Sequence, residues 1–201
     1  DINAYSFQDP VTIQGGAMTV DGLATGGTDN IVLTSLSTID ETDDADTVNV
    51  TTGGTLTLGA GGAIGADTAT GALDLDVTTL VASTSAGGIY IREADTTTLD
   101  GLTIGASGVT TTGGNAPIDL TVSSGNLILD GPITANGSGN IDILLSGTGA
   151  AVVTDTAGEN ISSGTGAITI TADTFTLANG TIGSIGGALV LQPNAASRTI
   201  G

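Results

Sequence analysis

The chain has 201 residues, 33 of them glycine, with no cysteine, histidine or tryptophan. Its 21 acidic residues face two arginines, Arg92 and Arg198, for a net charge of −19. This composition excludes thiol nucleophiles, imidazole bases, a Ser-His-Asp triad, thiolate zinc sites and disulfides, and the charge repels nucleic acid and anionic membrane surfaces.

Disorder is the first alternative for so charged and glycine-rich a chain. Against it, 39% of the residues are hydrophobic, the mean hydropathy is +0.34, and the apolar residues are arranged in a pattern. No apolar run is long enough to span a bilayer. No basic region followed by an apolar stretch opens the chain, and it begins with Asp1 rather than Met, as expected of a processed product or a segment of something longer. An extracellular or bacterial cell-surface protein fits the lack of cysteine.

At the start, Tyr5 and Phe7 alternate and Asp9-Pro10 closes a short strand. Residues 1–13 read as an N-terminal cap, or as a donor strand joining copies end to end through Tyr5 and Phe7. Next comes an acidic run, Asp40, Glu41, Asp43, Asp44 and Asp46. Five carboxylates so close can supply oxygen ligands to calcium, the one cofactor the sequence suggests; the competing reading is a solvated loop. Beyond it, GGAIGADTA from Gly61 nearly meets a calcium-binding nonapeptide, but its glycines are spaced one residue too far apart, and it reads as a turn.

From there one pattern recurs: GTLTL from Gly54, GALDLDV from Gly71, GGIYIRE from Gly87, APIDLTV from Ala116, GNIDILLS from Gly139, GAITITAD from Gly166 and GGALVLQP from Gly186. Alternation of apolar and polar residues is the period of a half-buried strand, and the bracketing Gly and Asn suit tight turns. Helix is disfavoured throughout. The steps from Ile118 to Ile141, Ile168 and Leu189 are 23, 27 and 21 residues, a coil of about two dozen residues with three short strands. The stretch from Thr154 to Thr165 reads as an insertion between coils. The end, Arg198 to Gly201, shows no cap, which favours continuation by further repeats or by other copies.

Two all-β architectures fit these signals. A sandwich fills a gap about 10 Å deep with large rings, whereas Tyr5, Phe7, Tyr90 and Phe175 are the only aromatics here. A solenoid stacks small aliphatics instead. The expected fold is therefore all-β, a right-handed parallel β-helix (β-solenoid) over residues 14–201 with eight or nine coils. Leu56, Leu73, Ile89, Ile118, Ile141, Ile168 and Leu189 are expected to form aliphatic stacks that bury a continuous narrow core.

The segments GALDLDVTTL, AGGIYIREADTTTLDGLTIG, SGNLILDGPITANGSGNIDILLSG, GTGAITITADTFTLANGTIG and GGALVLQPNAASRTIG together resemble the repeat region of filamentous haemagglutinin-like giant bacterial exoproteins. The resemblance covers most of residues 47–201. It implies an exported parallel β-helix serving as an adhesin shaft or filament, with a cell-surface glycan or matrix as partner.

Other chemistry is weighed against that reading. Asp74 with Asp76, or Asp119 with Asp142, are carboxylate pairs that a polysaccharide-acting β-helix enzyme requires, although alternating Asp also marks a solvent face. The clusters Thr96-Thr97-Thr98, Thr110-Thr111-Thr112, Thr55-x-Thr57 and Thr169-x-Thr171 suggest an ice-binding ladder, but their intervals are irregular, and β-propensity accounts for them. Arg92 and Arg198 read as partners for surface carboxylates. Four glycosylation sequons begin at Asn49, Asn136, Asn160 and Asn179. The favoured expectation is a non-enzymatic structural protein; a calcium-dependent binding module is the remaining alternative.

Overall fold

The computed structural model describes residues 2–3, 6–41, 47–68, 70–94, 101–154 and 158–194. Among these residues every regular element is a strand, and the strands pair in parallel from one coil to the next. The protein is a parallel β-solenoid. No helix among the described residues is long and apolar enough to cross a membrane.

Each coil passes through three sheets in turn. The first sheet stacks Ile2–Asn3, Met18–Asp21, Ile39–Glu41, a bridge at Ile64, Ile89–Glu93, Ile118–Val122, Ile141–Leu145, Ile168–Thr171 and Leu189–Gln192. The second contains Ser6–Phe7, Leu23–Thr25, Asn126–Leu129, Ala151–Thr154 and Thr174–Thr176, and the third contains Val11–Gly15, Ile31–Ser35, Ile133–Ala135, Asn160–Ser163 and Thr181–Ser184. In the middle of the molecule, Val50–Ala60, Leu73–Thr84 and Gly101–Thr111 run on from the second sheet into the third.

The solenoid makes about seven turns, slightly fewer than the eight or nine expected. The difference lies at the ends. The first coil has strands of two residues, Ile2–Asn3 and Ser6–Phe7, and the last described strand, Leu189–Gln192, belongs to a level that has only its first side. Residues 2–3, 6–7 and 11–15, within or beside the segment read as a cap or donor strand, pair in parallel with the second coil. The stretch read as an insertion contains a strand instead, Asn160–Ser163, pairing with coils on both sides.

The core follows from the alternation. Ile39, Ile64, Ile89, Ile118, Ile141 and Ile168 form one in-register row ending at Leu189, and the six isoleucines are fully buried. Burying each such side chain contributes about 1.5–3 kcal/mol, which offsets the ordering entropy of its segment. The other two expected core residues, Leu56 and Leu73, are also fully buried but belong to different rows. Leu56 lies in the third sheet between Ile31 and Leu80, and Leu73 pairs with Ile91 rather than Ile89. Between the Ile64 bridge and Leu73 runs a turn through Ala66, Asp67 and Thr68.

Polar side chains stitch the coils at their corners. Asn30, Asn115, Asn126, Asn140 and Asn160 each accept, through Oδ1, the backbone N–H of a residue 21–27 positions later, at 2.8–3.1 Å. Inward hydroxyls do the same work at the turn from the third sheet to the first: Thr111 donates to the Ala116 carbonyl at 3.0 Å and Ser163 to the Gly139 carbonyl at 2.7 Å. Such contacts satisfy backbone groups where the ladder is interrupted.

Candidate functional site

The outward residues of the first sheet are set by the same alternation that buries the isoleucines. Between Ile118 and Leu120 stands Asp119, between Ile141 and Ile143 stands Asp142, and the register aligns Tyr90, Asp119, Asp142 and Thr169 in one row. A second row, two residues on, runs Arg92, Thr121, Leu144, Thr171 and Gln192. Successive members of a row are separated by the inter-strand spacing of about 4.8 Å.

Two irregular segments turn this flat face into a groove. At one end the 65–72 turn stands beside Tyr90; it is closed by the Ala66 N–H donating to the Gly71 carbonyl at 2.6 Å and the Thr68 N–H to the Ala66 carbonyl at 2.9 Å. At the other end Pro193 and Asn194 fold over the face. Asn194 Nδ2 donates to the Ser146 carbonyl at 2.7 Å and its N–H to Asp173 Oδ1 at 3.2 Å. The cavity between the rows and this second wall measures about 910 Å³, and a smaller one of about 200 Å³ lies between Asp67, Tyr90 and Asp119. Asp119 and Thr121 line both, so the two cavities form one groove along the stack.

Tyr90 is positioned by a glycine. A Cβ added at Gly88 would lie 2.6 Å from the ring and hydroxyl of Tyr90, so the absence of a side chain there lets the ring settle against the backbone. Arg92 is turned to Asp74, its Nε 2.7 Å from Oδ1 and its Nη2 2.5 Å from Oδ2. This two-point pair engages the guanidinium, which lines the smaller cavity together with Asp119. Burial, then Asp142, then Asp67 raise the Asp119 carboxyl above the usual carboxylate range. Burial, Asp67 and Asp119 likewise raise the Tyr90 phenol, keeping it a hydrogen-bond donor at neutral pH.

The sequence candidates are placed as follows. Asp119 and Asp142 stand side by side on adjacent coils. Asp74 and Asp76 are both buried, and Asp74 is committed to Arg92, so that pair offers no open acid–base site. In the acidic run, Asp40 accepts the Glu41 N–H at 3.0 Å and is half-exposed, whereas Glu41 is buried; adjacent strand positions point to opposite sides, so these two carboxylates do not converge. Asp43, Asp44 and Asp46 lie outside the described residues, as do Tyr5, Thr96-Thr97-Thr98 and Arg198. Phe7 is exposed at the first coil.

The outward row of the third sheet reads Gln14, Thr34, Gly59, Ser83, Thr110, Thr134, Ser162 and Gly183, with no repeated Thr-x-Thr register. Of the sequons, Asn49 is fully buried. Tyr90, Leu144, Gln192 and the two walls were missed as groove residues. The alternation placed them outward, but their neighbours become known only from the pairing register.

The class of protein defined by this geometry is a parallel β-solenoid with an acidic groove along one face. No protein-family model, curated protein or solved structure matches the chain, so the functional reading is carried by the surfaces themselves.

Proposed function

We propose that the chain is a length of an extracellular shaft, akin to the repeat region of filamentous haemagglutinin-like exoproteins, extending by end-to-end stacking and presenting its sides for surface attachment. The observation that supports this reading is the state of the last coil. Leu189 and Leu191 stand in register on Ile168 and Ile170, yet they are 46% and 36% exposed where the residues beneath them are 0% exposed. A row of core residues reaching the surface is what another coil of the same pattern covers, supplied by further repeats or by the first coil of a second copy, where Phe7 is also exposed. Backbone ladders and apolar rows already join coil to coil within the chain, so the same contacts join copy to copy.

Electron microscopy of the purified protein tests this: short rods joined into longer ones are expected. Leu189→Asp combined with Leu191→Asp is expected to leave single rods with an unchanged β-sheet spectrum. Compact particles, or rods whose length ignores both substitutions, overturn the reading.

One observation favours a second reading, a polysaccharide-acting enzyme: Asp119 and Asp142 stand opposite one another on adjacent coils, and burial raises the Asp119 carboxyl, as the acid of acid-assisted glycoside hydrolysis requires. Release of reducing ends from polysaccharide, lost in Asp119→Asn and Asp142→Asn, would establish it. The shaft reading expects no release.

A further inference from the structure

We infer that the groove on the first sheet binds a neutral oligosaccharide lying along the solenoid axis; the site uses outward side chains of the sheet, whereas the shaft reading rests on inward ones at the last coil, and the inference is independent of that reading.

The argument begins with shape. From Tyr90 to the level of Gln192 the groove crosses four inter-coil steps, a run of about 19 Å at the strand spacing. It is open along its length and bounded at its ends by the 65–72 turn and by Pro193 and Asn194. An extended chain of linked rings fits a long, shallow, end-walled trough better than a compact cofactor does. In the trough polar groups and displaced titrating groups converge in one cavity, the general mark of a binding site.

The lining chemistry narrows the ligand. Sugar rings present apolar C–H faces and hydroxyl edges, and the groove alternates accordingly. Tyr90 and the 40% exposed Leu144 supply apolar surface. Asp119, Asp142, Thr169, Thr171 and Gln192 supply donors and acceptors at regular intervals. The Asp119 and Asp142 carboxylates accept from sugar hydroxyls, the Thr169 and Thr171 hydroxyls both donate and accept, and the Tyr90 phenol donates beside them.

Charge excludes the nearest rivals. Asp67, Asp119 and Asp142 line the groove, and the charge of Arg92, which lines its smaller cavity, is balanced by the two-point pair with Asp74, so the groove carries net negative charge and disfavours uronates and sulfated glycans. No group of three or more acidic side chains able to hold a metal occurs among the described residues, which disfavours a divalent cation as the principal ligand.

The walls are also set before binding. Gly88 leaves room for the Tyr90 ring, and Asn194 is held by hydrogen bonds to Ser146 and Asp173, which lowers the ordering cost of association.

Calorimetric titration of the whole chain with neutral tetra- to hexasaccharides of glucose, galactose and mannose tests the inference, with oligogalacturonate and CaCl₂ as contrasts. Binding of at least one neutral series is expected, weakened by about tenfold or more, a difference of about 1.4 kcal/mol, in both Tyr90→Ala and Asp142→Ala. These side chains face outward, so an unchanged thermal transition is expected to accompany the loss. If either variant fails to fold, Gly88→Ala, which displaces the Tyr90 ring, is expected to weaken binding in the same direction. Absence of binding by every neutral sugar, equal or tighter binding of oligogalacturonate, heat from CaCl₂ alone, or neutral binding indifferent to all three substitutions overturns the site. Rods without sugar binding would defeat this inference and leave the shaft reading standing; sugar binding by compact particles would do the reverse.

Discussion

The middle and the last coil of this solenoid are built from nearly the same words. Ile141 and Ile143 in one, and Leu189 and Leu191 in the other, occupy equivalent inward positions of the first sheet, linked rung to rung through Ile168 and Ile170. Yet the first pair is buried and the second is open to solvent. In a stack of like layers a core residue is made by its neighbours above and below, and an equivalent inward side chain is a core member in one coil and an exposed one at the last.

The sharpest way to break this comparison is to shorten one member of each pair. Ile141→Ala removes methylenes from a site closed on both sides and is expected to destabilise by about 2–5 kcal/mol. Leu189→Ala, measured on dilute single rods, is expected to change stability by less than about 1 kcal/mol, because half-exposed methylenes give up little transfer energy. Chemical denaturation of both variants checks the contrast. Equal losses would mean that Leu189 is covered in solution.

The backbone offers a second contrast of the same kind. Gly101, with φ of 104°, approaches the next coil so closely that a Cβ would collide with the Asn126 backbone. Gly183, one coil from the open end, has nothing within 4 Å of its would-be Cβ. Gly101→Ala is expected to lower stability by about 1–3 kcal/mol through strain and collision, whereas Gly183→Ala is expected to be neutral or slightly stabilising. Thermal melting of the pair compares a coil held on both faces with one held on a single face.

These contrasts show what the sequence makes legible. Alternation placed Ile118, Ile141, Ile168 and Leu189 in one row at the right spacings, because a parallel stack allows each coil its own length in the turns while holding strands in register. The same reading put Leu56 and Leu73 in the core without assigning their rows, because nothing local marks which of three sides a strand occupies. The asparagines were legible only as turn formers. Their contacts with backbone 21–27 residues away depend on coil length, which a single sequence states only on average. For the groove, the pairing of Asp119 with Asp142 was within reach of the repeat spacing. Tyr90 joins them through the register of Ile89 with Ile118, a step of 29 residues that the two-dozen average conceals.

The smallest expected effect concerns protons on the groove and compares its face with the interior behind it. Asp119 titrates above the ordinary carboxylate range because of burial and its neighbours Asp142 and Asp67. A carboxyl whose folded-state pKa is raised binds its proton more tightly folded than unfolded. Its contribution to stability is therefore fully present below the unfolded pKa and is lost as pH rises through the folded one. At neutral pH the charged Asp119 is a liability, and Asp119→Asn is expected to be slightly more stable than the parent. As pH falls into the carboxylate range the parent should gain on the variant and the gap should close. Because the group is exposed to solvent, the difference is expected to be smaller than that from Ile141→Ala or Gly101→Ala, and to shrink further with added salt. Melting both proteins across this pH range measures the difference directly, and general relief of repulsion among the other carboxylates cancels between them. A gap independent of pH would mean that Asp119 does not feel Asp142 and Asp67, and that the carboxyl tips of Asp119 and Asp142 are farther apart than their backbones are at their base.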